Sequence, residues 1–130
     1  MFQMPHLIIR NVWAVGMHHH GPRFLEIGDR YELLQDTHNR YDKHAIKITS
    51  DGRTFAYLNR SNARVVSELM GLGLCGLWLL KPKETPEVQS YKVGPQQRCN
   101  IGYTCKDIIA FELAKAYLDS QGLLYEVIEC

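Results

Sequence analysis

Asn39-Arg40-Tyr41-Asp42-Lys43-His44-Ala45-Ile46-Lys47-Ile48 runs into Asp51-Gly52 and returns as Phe55-Ala56-Tyr57-Leu58-Asn59-Arg60. The polar start, Asp36 to Tyr41, reads as a turn. His44 to Thr49 then alternates, with Ala45, Lys47 and Thr49 set against Ile46 and Ile48, which is the period of a strand. Asp51-Gly52 is the dipeptide that two-residue hairpin turns select, so Arg53 to Leu58 reads as the returning strand. Ser61 is placed to cap a helix reaching about Met70, with Val65, Val66, Leu69 and Met70 at helical spacing and Gly71 as its stop.

The flanks extend this pattern. Leu7 to Val15 is rich in β-branched residues and reads as a strand, as does Arg30 to Gln35 after the Gly28-Asp29 turn signal. Leu74 to Lys81 is a further strand. Pro82 to Cys99 is proline-rich and polar, and reads as a long loop with a short strand near Tyr91. Thr104-x-x-Asp107 resembles a capping box for a helix to about Ser120 (104–121 overall), with Ile108, Phe111 and Leu118 toward the core. Gly122 ends it, and 123–128 is a last strand. The order β-β-β-β-α-β-loop-α-β predicts a mostly-β α+β fold. It would be a small barrel or curled sheet of SH3 or OB size, with helices packed on it.

The chain has 130 residues, 45% hydrophobic and 22% charged. That length suits one domain over 1–130, which buries roughly 60–70% of its unfolded surface without a disulfide or metal staple. The most apolar stretch, Leu72 to Leu80, falls short of the ~20 residues a membrane helix needs. Met1 to Ile9 does not read as a signal peptide. Fifteen Lys+Arg against fourteen Asp+Glu give +1. The halves are equally balanced: seven basic and six acidic residues over 1–58, eight of each over 59–130. Coating of long nucleic acid requires a basic excess, so that mode is disfavoured, whereas a site touching two or three phosphates is allowed. Cys75, Cys99, Cys105 and Cys130 form no C-x-x-C pair. They read as reduced, partly buried thiols in an intracellular protein of cytoplasm, nucleoid or nucleus.

All six histidines, His6, His18, His19, His20, His38 and His44, fall within the first 44 residues. No cysteine pair accompanies them as in a zinc finger, and a solvated loop is the plain reading of the triplet. Ser61 and Ser67 lie on a helix rather than a nucleophile elbow. Gly71, Gly73 and Gly76 match neither a P-loop nor a dinucleotide fingerprint. Asp36 and Asp42 could hold Mg²⁺ for a nuclease, but turn carboxylates mostly bond their own backbone. The expectation is a protein with no catalysis of its own and no metal or other cofactor.

The ordered set Val15-Gly16-Met17, Ile27-Gly28-Asp29, N-R-Y-D-K-H-A-I-K-I and A-Y-L-N-R before the Ser61 helix resembles the HIRAN domain family, most strongly over residues 10–80. The resemblance implies a non-catalytic β-barrel module of the kind fused to remodelling ATPases and nucleases. In a helicase-like fork-remodelling member it grips the 3′ end of single-stranded DNA. Its end-binding Asp and neighbouring Tyr fall on Asp42 and Tyr41, its Asn on Asn39, its phosphate-contacting strand-end residue on Tyr57, and its basic residue on Arg60. The loop that carries Arg-Tyr-Tyr in that member carries His18, His19 and His20 here. His19 could stack on a base, and His18 could contact phosphate once protonated. A further stacking aromatic of that member falls near Leu79 and Leu80.

The pocket also makes sense without the family. A carboxylate such as Asp42 repels phosphate but accepts a hydrogen bond from a free terminal hydroxyl, while Arg60 and backbone N–H groups hold neighbouring phosphates. Such a site selects strand ends. The first expectation is therefore binding of a single-stranded DNA end in repair, replication or a mobile element, beside a nuclease, helicase or repair partner and with no membrane. Asn39 and Asp42 could instead simply fold the turn, with Tyr41 packed in the core. A module of this fold that had lost the DNA site would then bind a protein through 82–99 and the Asp107–Ser120 helix. A metal-dependent nuclease is the third alternative.

Overall fold

The computed structural model describes residues 6–16, 25–71, 75–82, 87–88 and 95–128. The elements follow in the order β1 (His6–Val15), β2 (Tyr31–Gln35), β3 (Ile46–Ser50), β4 (Arg53–Leu58), α1 (Arg60–Gly71), β5 (Cys75–Pro82), β6 (Glu87–Val88), β7 (Pro95–Cys105), α2 (Ile108–Ser120) and β8 (Tyr125–Ile128). This is a mostly-β chain with two helices on an antiparallel sheet. Its strand order is β6-β7-β5-β2-β3-β4-β1-β8, and β7 also pairs with β1. The pairings therefore run from β1 through β4, β3, β2, β5 and β7 and back to β1. Two joins are thin: β1–β4 rests on Ala14↔Leu58 and Val15↔Tyr57, and β2–β5 on Tyr31↔Leu80 and Glu32↔Leu79.

β1 shows how sequence sets this shape. Leu7 and Ile9 are buried, then Val12 and Ala14, so the inward phase changes by one residue. A strand without a bulge would turn one of these pairs outward. The register shift between Ile9 and Val12 absorbs the extra residue, and Asn11 takes φ 60° there, as Asn tolerates better than most residues. The bulge divides the strand: residues 6–9 pair with β8 and residues 14–15 with β4, while β7 runs along the whole length.

The hairpin turn is as expected. Asp51 and Gly52 have φ 51° and 78°, the two positive values a type I′ turn demands. The core gathers Leu7, Ile9, Ile46, Ile48, Leu69, Ile101 and Leu118, all fully buried. α1 contributes Ala63, Val65, Val66 and Leu69 and lies against β3, while α2 lies against β7.

Several boundaries differ from the sequence reading. The end of the supposed 82–99 loop is the start of β7, the longest strand. Its inward residues are Gln97, Cys99, Ile101, Tyr103 and Cys105; a polar glutamine and two cysteines at inward positions conceal the alternation. Gln97 is fully buried because it clips the backbone of Leu25, donating to the carbonyl at 2.8 Å and accepting from the N–H at 2.7 Å. The short strand lies at Glu87–Val88, and Tyr91 falls outside the described residues. Asn59, not Ser61, caps α1: its Oδ1 accepts from Asn62 N at 2.9 Å. Asp107 itself caps α2, accepting from Ala110 N at 2.8 Å. Thr104 belongs to β7, its hydroxyl 2.9 Å from His6 Nδ1. Ile108 is 54% exposed, while Phe111 and Leu118 are buried. The last strand begins at Tyr125 because Leu123 still closes the helix end, donating to Leu118 O at 3.2 Å. Cys99 and Cys105 are buried; Cys130 lies outside the described residues. Among the described residues no helix is long and apolar enough to cross a membrane.

Candidate nucleic-acid interface

The turn between β2 and β3 is built by short polar side chains. Asn39 Oδ1 accepts from the backbone N–H groups of Tyr41 at 2.9 Å and Asp42 at 3.0 Å. Asp42 Oδ1 accepts from His44 N at 2.9 Å. Backbone bonds from Asn39 N to Asp36 O and from Ala45 N to Asp42 O complete two successive turns. Asn and Asp suit this work because a short side chain reaches backbone two or three residues on. It also explains why β3 starts at Ile46: His44 and Ala45 are still occupied by the turn.

Behind the turn, Asp36 Oδ2 accepts from the Tyr57 hydroxyl at 2.9 Å and from Asn39 Nδ2 at 3.3 Å. The Tyr57 bond, opposed by partial burial and helped by Asn39 and Lys47, holds the Asp36 carboxyl below its ordinary value. Burial first, and then the same bond, pushes the Tyr57 phenol up. Tyr57, Asp36, Asn39 and Asp42 thus form one chain of hydrogen bonds from β4 to the tip of the turn.

The tip faces α1. Arg60, the first residue of the helix, donates from Nη2 to Tyr41 O at 3.0 Å, and its Nε lies 3.9 Å from Asp42 Oδ2. The cleft between them has a volume of about 620 Å³ and is lined by Tyr41, Asp42, Lys43, His44, Arg60, Ser61, Arg64 and Glu68. Tyr41 is 89% exposed; its ring does not pack in the core. The Asp42 side chain is only 20% exposed, whereas that of Arg60 is 77% exposed.

Among the residues expected from sequence, Tyr41, Asp42 and Arg60 line one cleft. Asn39 stands behind it as the turn former. Tyr57 is bonded to Asp36 and does not line the cleft. His18, His19 and His20 lie outside the described residues. Lys43, His44, Ser61, Arg64 and Glu68, none of them expected from sequence as a binding residue, complete the lining. Arg60, Arg64 and Glu68 are four residues apart, the spacing that puts side chains on one helix face, and that was the available signal. Arg64 Nε lies 3.6 Å from Glu68 Oε1. Glu68 Oε2 accepts from the Tyr117 hydroxyl of α2, which with Arg64 keeps the Glu68 carboxyl below its usual range. Burial and that bond push Tyr117 up to about 12. Among the described residues no three His, Cys, Asp or Glu side chains converge as metal ligands.

An exposed aromatic, a carboxylate with a spare oxygen and two arginines can together stack on a flat ring, accept from a hydroxyl and hold phosphates. The cleft lies within the part of the chain that matches a known family. Residues 10–77, from β1 through α1 into β5, match the HIRAN domain family. No curated protein matches. Among solved structures, the fold is similar to the HIRAN domain of human HLTF, with a TM-score of 0.71 at 18% identity, covering 93% of this chain and 96% of that one. It is also similar to a protein from Lactobacillus plantarum, with a TM-score of 0.54 at 16% identity, covering 75% of this chain and 96% of that one.

Proposed function

The chain belongs to the HIRAN domain family, and from that premise we propose that it is a non-catalytic module binding single-stranded DNA at its 3′ end. Family membership supports nucleic-acid binding in general; the choice of strand and end is our reading of the cleft. One observation carries it: the Tyr41 ring, 89% exposed, stands beside a part-buried carboxylate that a phosphate would avoid. An accessible aromatic face beside a polar cleft is a surface on which a base can stack.

The physical account is short. Asp42 spends Oδ1 on the His44 N–H, while Oδ2, 3.9 Å from Arg60 Nε, can still accept from a donor. A terminal hydroxyl supplies that donor, and an internal or terminal phosphate does not. Tyr41 stacks on the terminal sugar and base. Arg60, braced on Tyr41 O, holds the first phosphate. Asn39 and Tyr57 act through Asp36 and the turn, as positioning residues. His18, His19 and His20 would add stacking and, when protonated, charge. The net charge of +1 suits so small a set of phosphate contacts. In this reading the circuit of strand pairings is a small barrel that carries the cleft on its β2–β3 turn. An intracellular setting in DNA repair or replication, beside a nuclease or helicase, is the context it fits.

The test is fluorescence anisotropy at low salt with three labelled strands: a free 3′-OH strand, a 3′-phosphorylated strand and a closed circle. The 3′-OH strand binds tightest, and more tightly at pH 6 than at pH 8 as histidines charge. Equal binding of all three would refute end recognition. A second reading, a protein-interaction module, is favoured by the exposed Ile109 and Leu113 on α2. It gains if no strand binds.

A further inference from the structure

Resting on that end-binding reading, we propose that Arg64 is a further strand-binding residue, taking the phosphate next to the one Arg60 holds, and that Glu68 weakens this contact by competing for it. Arg60 and Arg64 stand one helical turn apart, about 6 Å along the axis, and both line the cleft with Tyr41 and Asp42. That spacing is comparable with the separation of neighbouring phosphates along an extended strand. A strand anchored at Asp42 by its terminal hydroxyl passes Arg60 first and Arg64 second.

The two arginines differ in what holds them. Arg60 reaches the turn, donating to Tyr41 O at 3.0 Å and lying 3.9 Å from Asp42 Oδ2. Arg64, with a side chain 72% exposed, meets Glu68 four residues on at 3.6 Å. An exposed pair of this kind is weakly held, whereas a guanidinium–phosphate contact is charge-assisted and can be bidentate. Arg64 therefore exchanges Glu68 for phosphate at small cost. Glu68 cannot follow it, because its other oxygen is bound by the Tyr117 hydroxyl from α2. It stays as a fixed negative charge at the far end of the cleft, repelling the strand and attracting Arg64.

The signs of two substitutions separate this from a merely structural ion pair. Arg64→Ala weakens binding about five- to tenfold, as loss of a charge-assisted contact should. It also makes the slope of log affinity against log salt shallower by about 0.7, one phosphate on a single strand. The factor is the same for 3′-OH and 3′-phosphorylated strands, because the contact is internal. Glu68→Gln, which can still accept from Tyr117, tightens binding about two- to threefold. Arg64→Lys keeps the salt slope. If both Arg64→Ala and Glu68→Gln weaken binding, or Arg64→Ala leaves the salt slope unchanged, the proposal is overturned. Those outcomes in a protein that still prefers the 3′-OH strand refute this inference alone. Loss of the 3′-OH preference in the unsubstituted protein refutes the end-binding reading, and failure to bind any strand refutes both.

Discussion

The Tyr57 hydroxyl donates a 2.9 Å hydrogen bond to Asp36 Oδ2, tying strand β4 to the turn that carries Asp42. The bond makes Tyr57 a brace between strand and turn. Tyr57→Phe removes it and lowers stability by about 1 kcal/mol, or about 3–6 °C in Tm for a chain of this size. The pH dependence follows from the two shifts. The Asp36 carboxyl is depressed in the folded protein, so its stabilisation is present above the ordinary aspartate value of about 3.9 and is lost as pH falls through the lower folded value. The Tyr57 phenol is raised, so its share is present below about pH 10 and is lost as pH rises through the higher folded value. The Tm gap between the parent and Tyr57→Phe is therefore constant from pH 6 to 8. It narrows below about pH 4 and above about pH 10. Thermal melts across that range check both limbs.

Gln97 holds Leu25, the residue at which the described chain resumes after 17–24, by a pair of bonds to its N–H and C=O. Gln97→Leu fits the apolar surroundings but leaves two buried backbone groups of Leu25 without partners. The expected cost is about 2–4 kcal/mol, measured by urea unfolding. Cys99→Ala, the next inward position of β7, serves as the comparison for simple loss of volume. A loss in Gln97→Leu no larger than in Cys99→Ala would show that the clip contributes little.

Tyr117 reports on the contact between the helices. Its phenol is pushed up to about 12 by burial and by the Glu68 carboxylate. An absorbance titration of the tyrosines therefore includes a late step near 12, and Tyr117→Phe reduces that step by one tyrosine. The Glu68→Gln protein keeps the hydrogen bond but loses the charge, so its late step moves down. A titration in which every tyrosine ionises near 10 would contradict the contact.

The hairpin, the four strands before α1 and both helices were legible because each signal was local. Asp51-Gly52 fixes a turn by two dihedral angles, and Ile46 and Ile48 show a face by alternation. β7 was not legible. Its partners, β1 and β5, lie far off in sequence, and its inward positions include Gln97, whose burial makes sense only beside Leu25. The caps differ from the expected residues: Thr104 meets His6 across β1 and β7, and Asn59, the residue just before α1, bonds Asn62 N in place of Ser61. In the cleft, Tyr41, Asp42 and Arg60 could be found from one ten-residue run and the strand end after it. Arg64 and Glu68 needed the orientation of α1 toward the turn, which periodicity alone does not supply.

The central claim is that Asp42 recognises a terminal hydroxyl. The direct measurement is the affinity of the parent and Asp42→Ala for otherwise identical strands ending in 3′-OH or 3′-phosphate. Asp42→Asn is the control, since it can still accept from the His44 N–H. The account predicts that Asp42→Ala weakens the 3′-OH strand about tenfold, the worth of a charge-assisted hydrogen bond, and leaves the 3′-phosphate strand nearly unchanged, so that the preference disappears. Asp42→Asn keeps the His44 N–H bond, so a loss of the preference there as well comes from the carboxylate's charge and not from the turn. An equal loss on both strands in Asp42→Ala would contradict it, and would reduce Asp42 to a residue that folds its turn.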